Sequence, residues 1–298
     1  MTIVNNTFLL RYFIFISQKA RPPTSRDRSG VGKSLQPAQT VVNYLASIRS
    51  SWMIGAMRRS LRSWGLGMAQ AMDLGRPIER AAWPFPNRAE HIGRYVDLVP
   101  LGAGHADLLW PEVAAAAESF AYLRYGPFPQ IDGFRPFLAE IAARDEQPFW
   151  FVSPRTGAGR GWLSLCDISR RDGSIEIGSV WFSPSLQRTR AAREAIFLLM
   201  RYAMDDLGYE RLVWRCQANN VKSLRAAESL GFTYEGTWRR AVVVDGWQRD
   251  LAWFSILREE WPLRRRALSR WLEPANFDQK GQQINTLAHF LDSNQDPE

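Results

Sequence analysis

The sequence has 298 residues, of which 46% are apolar, so the chain is long enough to bury a substantial core. Its net charge of +8 is concentrated near the start: residues 1–72 hold ten of the 38 basic and one of the 30 acidic residues, which leaves 28 basic and 29 acidic residues in 73–298. A domain that binds nucleic acid needs clustered cations on its folded surface. The near-neutral body therefore argues against a nucleic-acid partner.

Residues 1–72 are expected to form a basic, disordered leader or an over-extended start. Their apolar run "FLLRYFIFI" (8–16) contains Arg11 and is nine residues long. A helix needs about 20 apolar residues to cross a bilayer, so no stable membrane span is expected, whereas a membrane-surface role for this segment stays open. The stretch "SGVGKS" (29–34) is similar to a phosphate-binding loop, but Asp27 stands where that loop needs a glycine, which argues against a nucleotide site.

A regular pattern of strands and helices follows a linker at 73–92. The stretch 93–101 alternates like a half-buried strand, and 105–123 and 132–146 are predicted to be helices. Strands are then predicted at 148–154, 159–169 and 174–182.

The clearest helix is predicted at 187–208, where apolar residues recur at spacings of three and four. The strand 211–217 follows, and strands that flank such a helix are expected to be parallel neighbours. Residues 219–232 predict another helix, and a hairpin about Asp245-Gly246 completes a domain that spans 93–262. A short basic helix and a polar tail are expected over 263–298.

The two cysteines, Cys166 and Cys216, lie in separate apolar runs, with no CxxC motif and no histidine nearby. They are expected to be buried thiols in a reducing compartment, which favours a cytoplasmic protein. The three histidines are far apart in the sequence, so no metal site is expected.

The stretch "SPSLQRTRAAREA" (183–195) is the first candidate for a binding site. It joins a predicted buried strand to a helix, and the N–H groups at the start of a helix attract anions. The small side chains of Ala191 and Ala192 let a ligand approach the backbone, and Arg188 and Arg190 add positive charge. From these residues alone, a diphosphate site and an ordinary basic first turn both remain open.

Three stretches stand in a distinctive order: "IEIGSVWFSPSLQRTRAAREA" (175–195), "NNVKSLRAAESLGF" (219–232) and "VVVDGWQRDLAWFSILREEW" (242–261). They are similar to a strand with a Q/R-x-x-G-x-G/A loop, an N-x-x-S…LGF helix and a G-x-x-x-D…E-E-W ending. In this order they resemble the GNAT N-acetyltransferase superfamily, most closely the Rim-type branch that acetylates the N-termini of ribosomal proteins. The resemblance implies an α/β (α+β) fold with a mixed, mostly antiparallel central sheet that splays at the cofactor strand and is flanked by helices.

The resemblance also implies acetyl-CoA as the co-substrate, with direct transfer of the acetyl group to an amine. Asn220 would contact the pantetheine arm. The backbone of Val180 and Trp181 would contact the pantetheine and the thioester. The residues expected to hold the pyrophosphate are Gln187, Arg188, Thr189, Arg190, Ala191 and Ala192. Arg190 stands where the family loop usually has its first glycine. An arginine keeps the backbone N–H donor, but its side chain affects how closely the phosphates can approach the backbone.

For catalysis, the amine must lose a proton, so a base is needed. Glu176 is the first candidate, with a strand-edge carboxylate in water or in an ion pair as the alternative. Asp250 is the second candidate, with a role in pinning the hairpin as its alternative. Ser223 is the candidate for protonating the CoA thiolate, against an ordinary helix serine that bonds backwards along the chain. Asn220 has helix capping as its competing role.

The acceptor implied by the resemblance is a protein N-terminus, held in a groove between the early helices (105–146) and the last hairpin. The aromatic residues that could line this groove are Trp110, Tyr122, Tyr125, Phe128 and Trp238. A small-molecule amine acceptor stays open, because fold does not fix function. A CoA-binding or regulatory protein without catalysis stays open as well.

Overall fold

A single mixed sheet organises the residues that the computed structural model describes, 75–156 and 159–292. The expectations for the leader, including its apolar run and "SGVGKS", lie outside the described residues. The strands are β1 (His91–Ile92), β2 (Val96–Pro100), β3 (Phe149–Pro154), β4 (Gly161–Ser169), β5 (Ser174–Phe182), β6 (Arg211–Gln217), β7 (Thr233–Val244) and β8 (Trp247–Leu257). The α-helices are α1 (Ala106–Ala114), α2 (Ile131–Ala143), α3 (Arg190–Arg201), α4 (Val221–Ser229), α5 (Trp261–Trp271) and α6 (Leu287–Asp292).

Within these residues the strand order is β1-β2-β3-β4-β5-β6-β8-β7. Neighbouring strands are antiparallel except β5 and β6, which are parallel and joined through α3. The predicted fold class and the predicted parallel pair are therefore confirmed. At the hairpin tip, Asp245 and Gly246 have φ angles of 50° and 79°, as a turn with two left-handed residues requires.

The sheet opens where β5 and β6 part. Their pairing runs from Ser174 with Arg211 to Glu176 with Val213, and both strands then continue without that register. We call this opening the fork. A bulge in β5 lies just beyond it, because Ser164 pairs with Gly178 and Trp162 with Trp181, which sets an extra β5 residue between the two pairs. The predicted splay at this strand is therefore present.

Apolar side chains cover both faces of the sheet, as alternation along the strands dictates. On β3, Trp150 and Val152 face a core formed with α3, α4 and α5, whereas Phe149 and Phe151 face a second core formed with α1 and α2. Because β3 is buried on both faces, its sequence is a continuous apolar run rather than an alternating one.

Two helix predictions need correction. The helix expected over 105–123 ends at Ala114, and a 3-10 turn occupies Ala117–Phe120. The break lets Phe120 stack on Trp181, with ring centroids 5.4 Å apart, and lets the Trp181 indole donate to Ser119 Oγ at 2.8 Å. The helix expected over 187–208 begins at Arg190, because the residues before it turn and cap it, and it ends in a π-helical turn.

The packed unit extends beyond the expected domain at both ends. Trp83, in the expected linker, is 2% exposed, and its indole donates to the Gly208 carbonyl at 2.7 Å. In the expected tail, Leu287 and Phe290 are buried against the first core. Because the contacts also divide the chain before Ile78, we propose 78–292 as the domain.

The N-terminal part of β2 is held by one buried carboxylate. Glu194 of α3 is 7% exposed and accepts hydrogen bonds from the backbone N–H groups of Arg94, Tyr95 and Val96, at 2.9, 2.6 and 3.1 Å. These three amides lie where β2 begins. The contact fixes α3, and with it the loop that precedes α3, relative to the sheet.

Candidate active site

The loop before α3 forms the first part of the site. Thr189 caps the helix, since its Oγ1 accepts from the Ala192 N–H at 3.1 Å. The N–H groups of Arg190 and Ala191 have no partner inside the helix. Arg188 is exposed and has a left-handed backbone, with φ 63°. The Gln187 amide donates to the Phe182 carbonyl at 2.9 Å, which closes the turn. Helix amides beside an exposed guanidinium suit a pyrophosphate, so these residues fit acetyl-CoA.

Arg190 is held by two aromatic rings. Its guanidinium carbon lies 4.9 Å from the centre of the Tyr95 ring and 4.5 Å from that of Phe277. Because Arg190 is the first residue of α3 and the left-handed residue is Arg188, the helix start does not need a glycine at position 190. The backbone donor at Arg190 is therefore kept while its side chain serves packing.

The two arginines are expected to respond differently to replacement. Arg188→Ala should weaken acetyl-CoA binding about fivefold, because an exposed guanidinium near phosphate is lost. Arg190→Ala should leave the Kd within about twofold and lower the free energy of unfolding by about 1 kcal/mol, because a double cation–π contact is lost. Calorimetric titration and denaturant unfolding measure the two effects. A large loss of affinity in Arg190→Ala would contradict this assignment.

Glu176 lies at the fork, on the last β5 residue that pairs with β6. It is 6% exposed, and its carboxylate forms an ion pair with Arg215, so the ion-pair role that is the alternative to a base is observed. Burial raises the pKa of Glu176 to about 8, and the Cys166 contact opposes this rise. The missing side chain at Gly178 makes room, since a Cβ there would lie 2.5 Å from Cys166 Sγ and 3.0 Å from Glu176 Oε1. A carboxyl group with this pKa can exchange a proton near neutral pH.

Arg215 is a site residue that the sequence reasoning missed. It bridges Glu176 and Asp167, and its guanidinium carbon lies 4.8 Å from the centre of the Trp253 ring. A signal was present, because this arginine interrupts the apolar strand "RLVWRCQ" (211–217), and a charge inside a sheet needs a partner. The sequence did not indicate which carboxylate pairs with Arg215, because Glu176 is 39 residues away along the chain.

Polar side chains surround the β5 bulge. Ser179 has a left-handed φ of 49°, and its Oγ accepts from the Gln147 amide at 3.0 Å. The same Gln147 amide donates to Ser164 Oγ at 2.8 Å, and Ser164 donates to the Gly178 carbonyl at 2.9 Å. Val180 is half-buried, and the Trp181 side chain packs in the second core. The bulge therefore turns the Val180–Trp181 backbone just beyond the fork.

The start of α4 contains two further predicted residues. Asn220 caps the helix, as its Oδ1 accepts from the Ser223 N–H at 3.2 Å. Ser223 Oγ accepts from the Trp214 indole of β6 at 3.0 Å. The hydroxyl hydrogen of Ser223 can still be donated. The capping role of Asn220 is thus observed, and it leaves the amide nitrogen available to a ligand.

Asp250 occupies the hairpin. Its Oδ1 accepts from the Arg240 N–H at 2.6 Å, inside an irregular part of β7 where Arg240 has φ 53°. The Ala218 N–H donates to the Asp250 carbonyl oxygen at 3.0 Å. The residue therefore pins the hairpin and also lines the cleft described next.

A cleft of about 660 Å³ separates the segment after α1 from the β7–β8 hairpin. It contains the end of β6, where the Gln217 amide donates to the Tyr122 carbonyl at 3.0 Å and accepts from Arg249 at 2.8 Å. Nothing in the sequence signalled Gln217 or Arg249. A second cleft of about 690 Å³ lies along Trp238–Ala241 of β7, the strand paired with β8.

The aromatic residues expected to line an acceptor groove divide between these clefts and the core. Tyr122 lines the first cleft and Trp238 the second. Trp110, Tyr125 and Phe128 pack instead into the second core, as aromatic side chains at helical spacing commonly do.

Three features occur together in this structure: a fork between two parallel strands, a helix that starts after the first of them, and a buried carboxyl group at the fork. They agree with the class that the sequence motifs predict, an acyltransferase that uses a CoA thioester. The family model described as "Acetyltransferase (GNAT) domain" matches residues 96–233. A crystal structure of a GCN5-related N-acetyltransferase from Brucella melitensis is 40% identical, covers 72% of this chain and 99% of its own, and superposes with a TM-score of 0.68. The chain belongs to the GNAT N-acetyltransferase superfamily.

Two further similarities agree with this family. A GNAT-family acetyltransferase structure from Chromobacterium violaceum is 37% identical, covers 63% of this chain and 96% of its own, and has a TM-score of 0.59. Bacillus subtilis YdaF, provisionally named a ribosomal N-acetyltransferase, is 30% identical over 101 residues, which are 34% of this chain and 55% of YdaF. The chain thus spans about half the length of that curated relative.

Two simpler expectations can also be compared with the structure. Both Cys166 and Cys216 are free thiols, the first half-buried and the second buried. Over the described ranges, no helix is both long and apolar enough to cross a membrane.

Proposed function

We propose that the chain acetylates the α-amino group at a protein N-terminus, of the ribosomal-protein type. The observation that carries this proposal is the cleft between Tyr122 and the hairpin, because it is open to an extended chain end and reaches the end of β6, one of the two strands that part at the fork. The similarity to YdaF supports the same acceptor.

The pKa of Glu176 gives a second argument for an α-amine. A free α-ammonium group has a pKa of about 7.7–8.0 and a lysine about 10.4. Burial raises the pKa of Glu176 above that of an ordinary glutamate, which brings this base closer to an α-ammonium group than to a lysine side chain. In this mechanism Glu176 takes the ammonium proton, directly or through water, with Asp250 as the second candidate.

The rest of the proposed reaction uses the residues around the fork. The amine nitrogen bonds to the thioester carbon, and the carbonyl oxygen, as it gains charge, accepts a hydrogen bond from the backbone at Val180 or Trp181. The carbon–sulfur bond then breaks. The proton that the attacking nitrogen loses as the amide forms reaches the departing thiolate through the Ser223 hydroxyl, which gives its own proton to the sulfur and receives the other in return. The amides at the start of α3, with Arg188, hold the pyrophosphate, and Asn220 contacts the pantetheine arm.

A panel of acceptors tests the proposal. The full chain is incubated with acetyl-CoA and either N-terminal peptides, the same peptides blocked at the α-amine but carrying a lysine, or small amines, and products are weighed by mass spectrometry. Acetylation of free α-amines alone is the expected result. Reaction of small amines without peptides would replace the proposed acceptor, and CoA binding without any product would favour a regulatory protein. The cytoplasmic location stays a prediction.

A further inference from the structure

Three arginines face the two clefts, and none of them pairs with a carboxylate of the described residues. Arg239 and Arg240 lie on β7, are exposed, and form no ion pair within the described part of the chain. Arg249 of β8 donates only to neutral groups, the Ala121 carbonyl oxygen at 3.2 Å and Gln217 Oε1 at 2.8 Å.

The two clefts contain few carboxylate side chains among their described lining residues. Asp250 is the one carboxylate among the described residues that line the clefts. One of its oxygens already accepts a hydrogen bond from the Arg240 N–H. Elsewhere on the described surface, many arginines are paired with acids, as Arg135 is with Asp107 and Arg155 with Asp97. Among the described residues that line the two clefts, three arginines therefore stand against one carboxylate.

The clefts also offer apolar contact to a bound chain. Trp238 and Trp247 are 59% and 72% exposed on the hairpin, where large aromatic side chains are not needed for the core. Trp238 packs against Trp253, with ring centroids 4.3 Å apart, and still keeps more than half of its surface exposed. Exposed aromatic residues among unpaired arginines are typical of a recognition surface.

We propose that the acceptor is acidic: the residues just after its reactive N-terminus carry aspartate or glutamate side chains that pair with Arg239, Arg240 and Arg249. This inference rests on the proposed function for the site and adds the chemical class of the acceptor. Opposite charges steer the acceptor into the clefts and select against basic N-termini.

Matched peptides test this inference. They share one N-terminal residue and differ in having acidic, neutral or basic residues behind it. Exposed ion pairs change an affinity by roughly two- to fivefold each, so the acidic peptide should have a kcat/KM about tenfold higher than the neutral one, mostly through KM. The preference should shrink as salt is added, because exposed charges are screened.

Variants decide whether the clefts cause the preference. The double variant R239A/R240A should lose most of it, whereas R239K/R240K, which keeps both charges, should retain it. Arg266→Ala, an exposed arginine of α5, serves as the control and should behave like the unmodified chain. Equal use of acidic and neutral peptides, or a preference that survives R239A/R240A in a folded protein, would overturn the inference.

The two proposals fail in different ways. If peptides react without regard to charge, the acidic acceptor is wrong and the N-terminal acceptor stands. If only small amines react, the N-terminal acceptor is wrong, and charge selection is then measured with amines that carry or lack a carboxylate. If the enzyme prefers the anionic amine and R239A/R240A abolishes that preference, the result supports charge selection by the cleft arginines. If the enzyme shows no preference, that proposal is overturned.

Discussion

Replacing Glu176 by glutamine is expected to lower kcat by about a hundred- to thousandfold, because the base is lost while the shape of the side chain is kept. The Kd for acetyl-CoA should stay within about twofold, since the proposed pyrophosphate contacts lie on the loop before α3. Steady-state kinetics and calorimetric titration measure the two quantities separately. Glu140→Gln, an exposed glutamate of α2, is the matched control and should change neither.

The same residue sets an expected pH dependence. The carboxylate is the basic form, so kcat should rise with pH and level off above the pKa of about 8 to which burial raises Glu176. Glutamine does not titrate, so the residual kcat of the variant should lose this step. A profile with the same step in Glu176→Gln, or an unchanged kcat, would remove Glu176 from the mechanism and leave Asp250 as the candidate.

Replacing Glu194 by alanine is expected to destabilise the fold strongly. Three backbone N–H groups donate to this carboxylate, which is 7% exposed, and alanine would leave them without an acceptor. Losing such a buried charged network costs about 3–5 kcal/mol, and at about 2–4 °C per kcal/mol the Tm should fall by roughly 6–20 °C. Thermal unfolding followed by circular dichroism measures the change.

Glu194→Gln separates charge from geometry. Glutamine keeps one oxygen acceptor in the same place, so its loss of Tm should be clearly smaller than that of alanine. An alanine variant as stable as the unmodified chain would mean that water or a neighbouring group satisfies the three amides. The prediction that Glu194 holds α3 against β2 would then be wrong.

Local sequence signals were sufficient for the elements of the sheet and for their order. Gly208 and Gly231 end their helices with φ angles of 70° and 84°, as glycine allows where other residues are strained. The parallel pairing of β5 and β6 followed from the helix between them. The prediction that the sheet splays at this strand rested on the family resemblance, because no local sequence pattern shows where two paired strands separate.

Contacts between distant segments were not predictable in the same way. The helix 105–123 breaks to bury Phe120 under Trp181, and nothing near Phe120 in the sequence indicates that partner. The pairing of Arg215 with Glu176 and the stacking of Arg190 on Phe277 likewise depend on which faces the folded chain brings together. These are tertiary effects that override local propensity.

The ring contacts of Arg190 join distant parts of the chain. Tyr95 precedes β2 along the chain, and its hydroxyl donates to the Leu272 carbonyl oxygen at 2.9 Å, while Phe277 follows α5. The first residue of α3, the helix proposed to bind CoA, is thus held by segments from opposite ends of the domain. We therefore expect the C-terminal segment and the start of α3 to open together, so that binding of acetyl-CoA at the proposed site slows hydrogen exchange around 272–277.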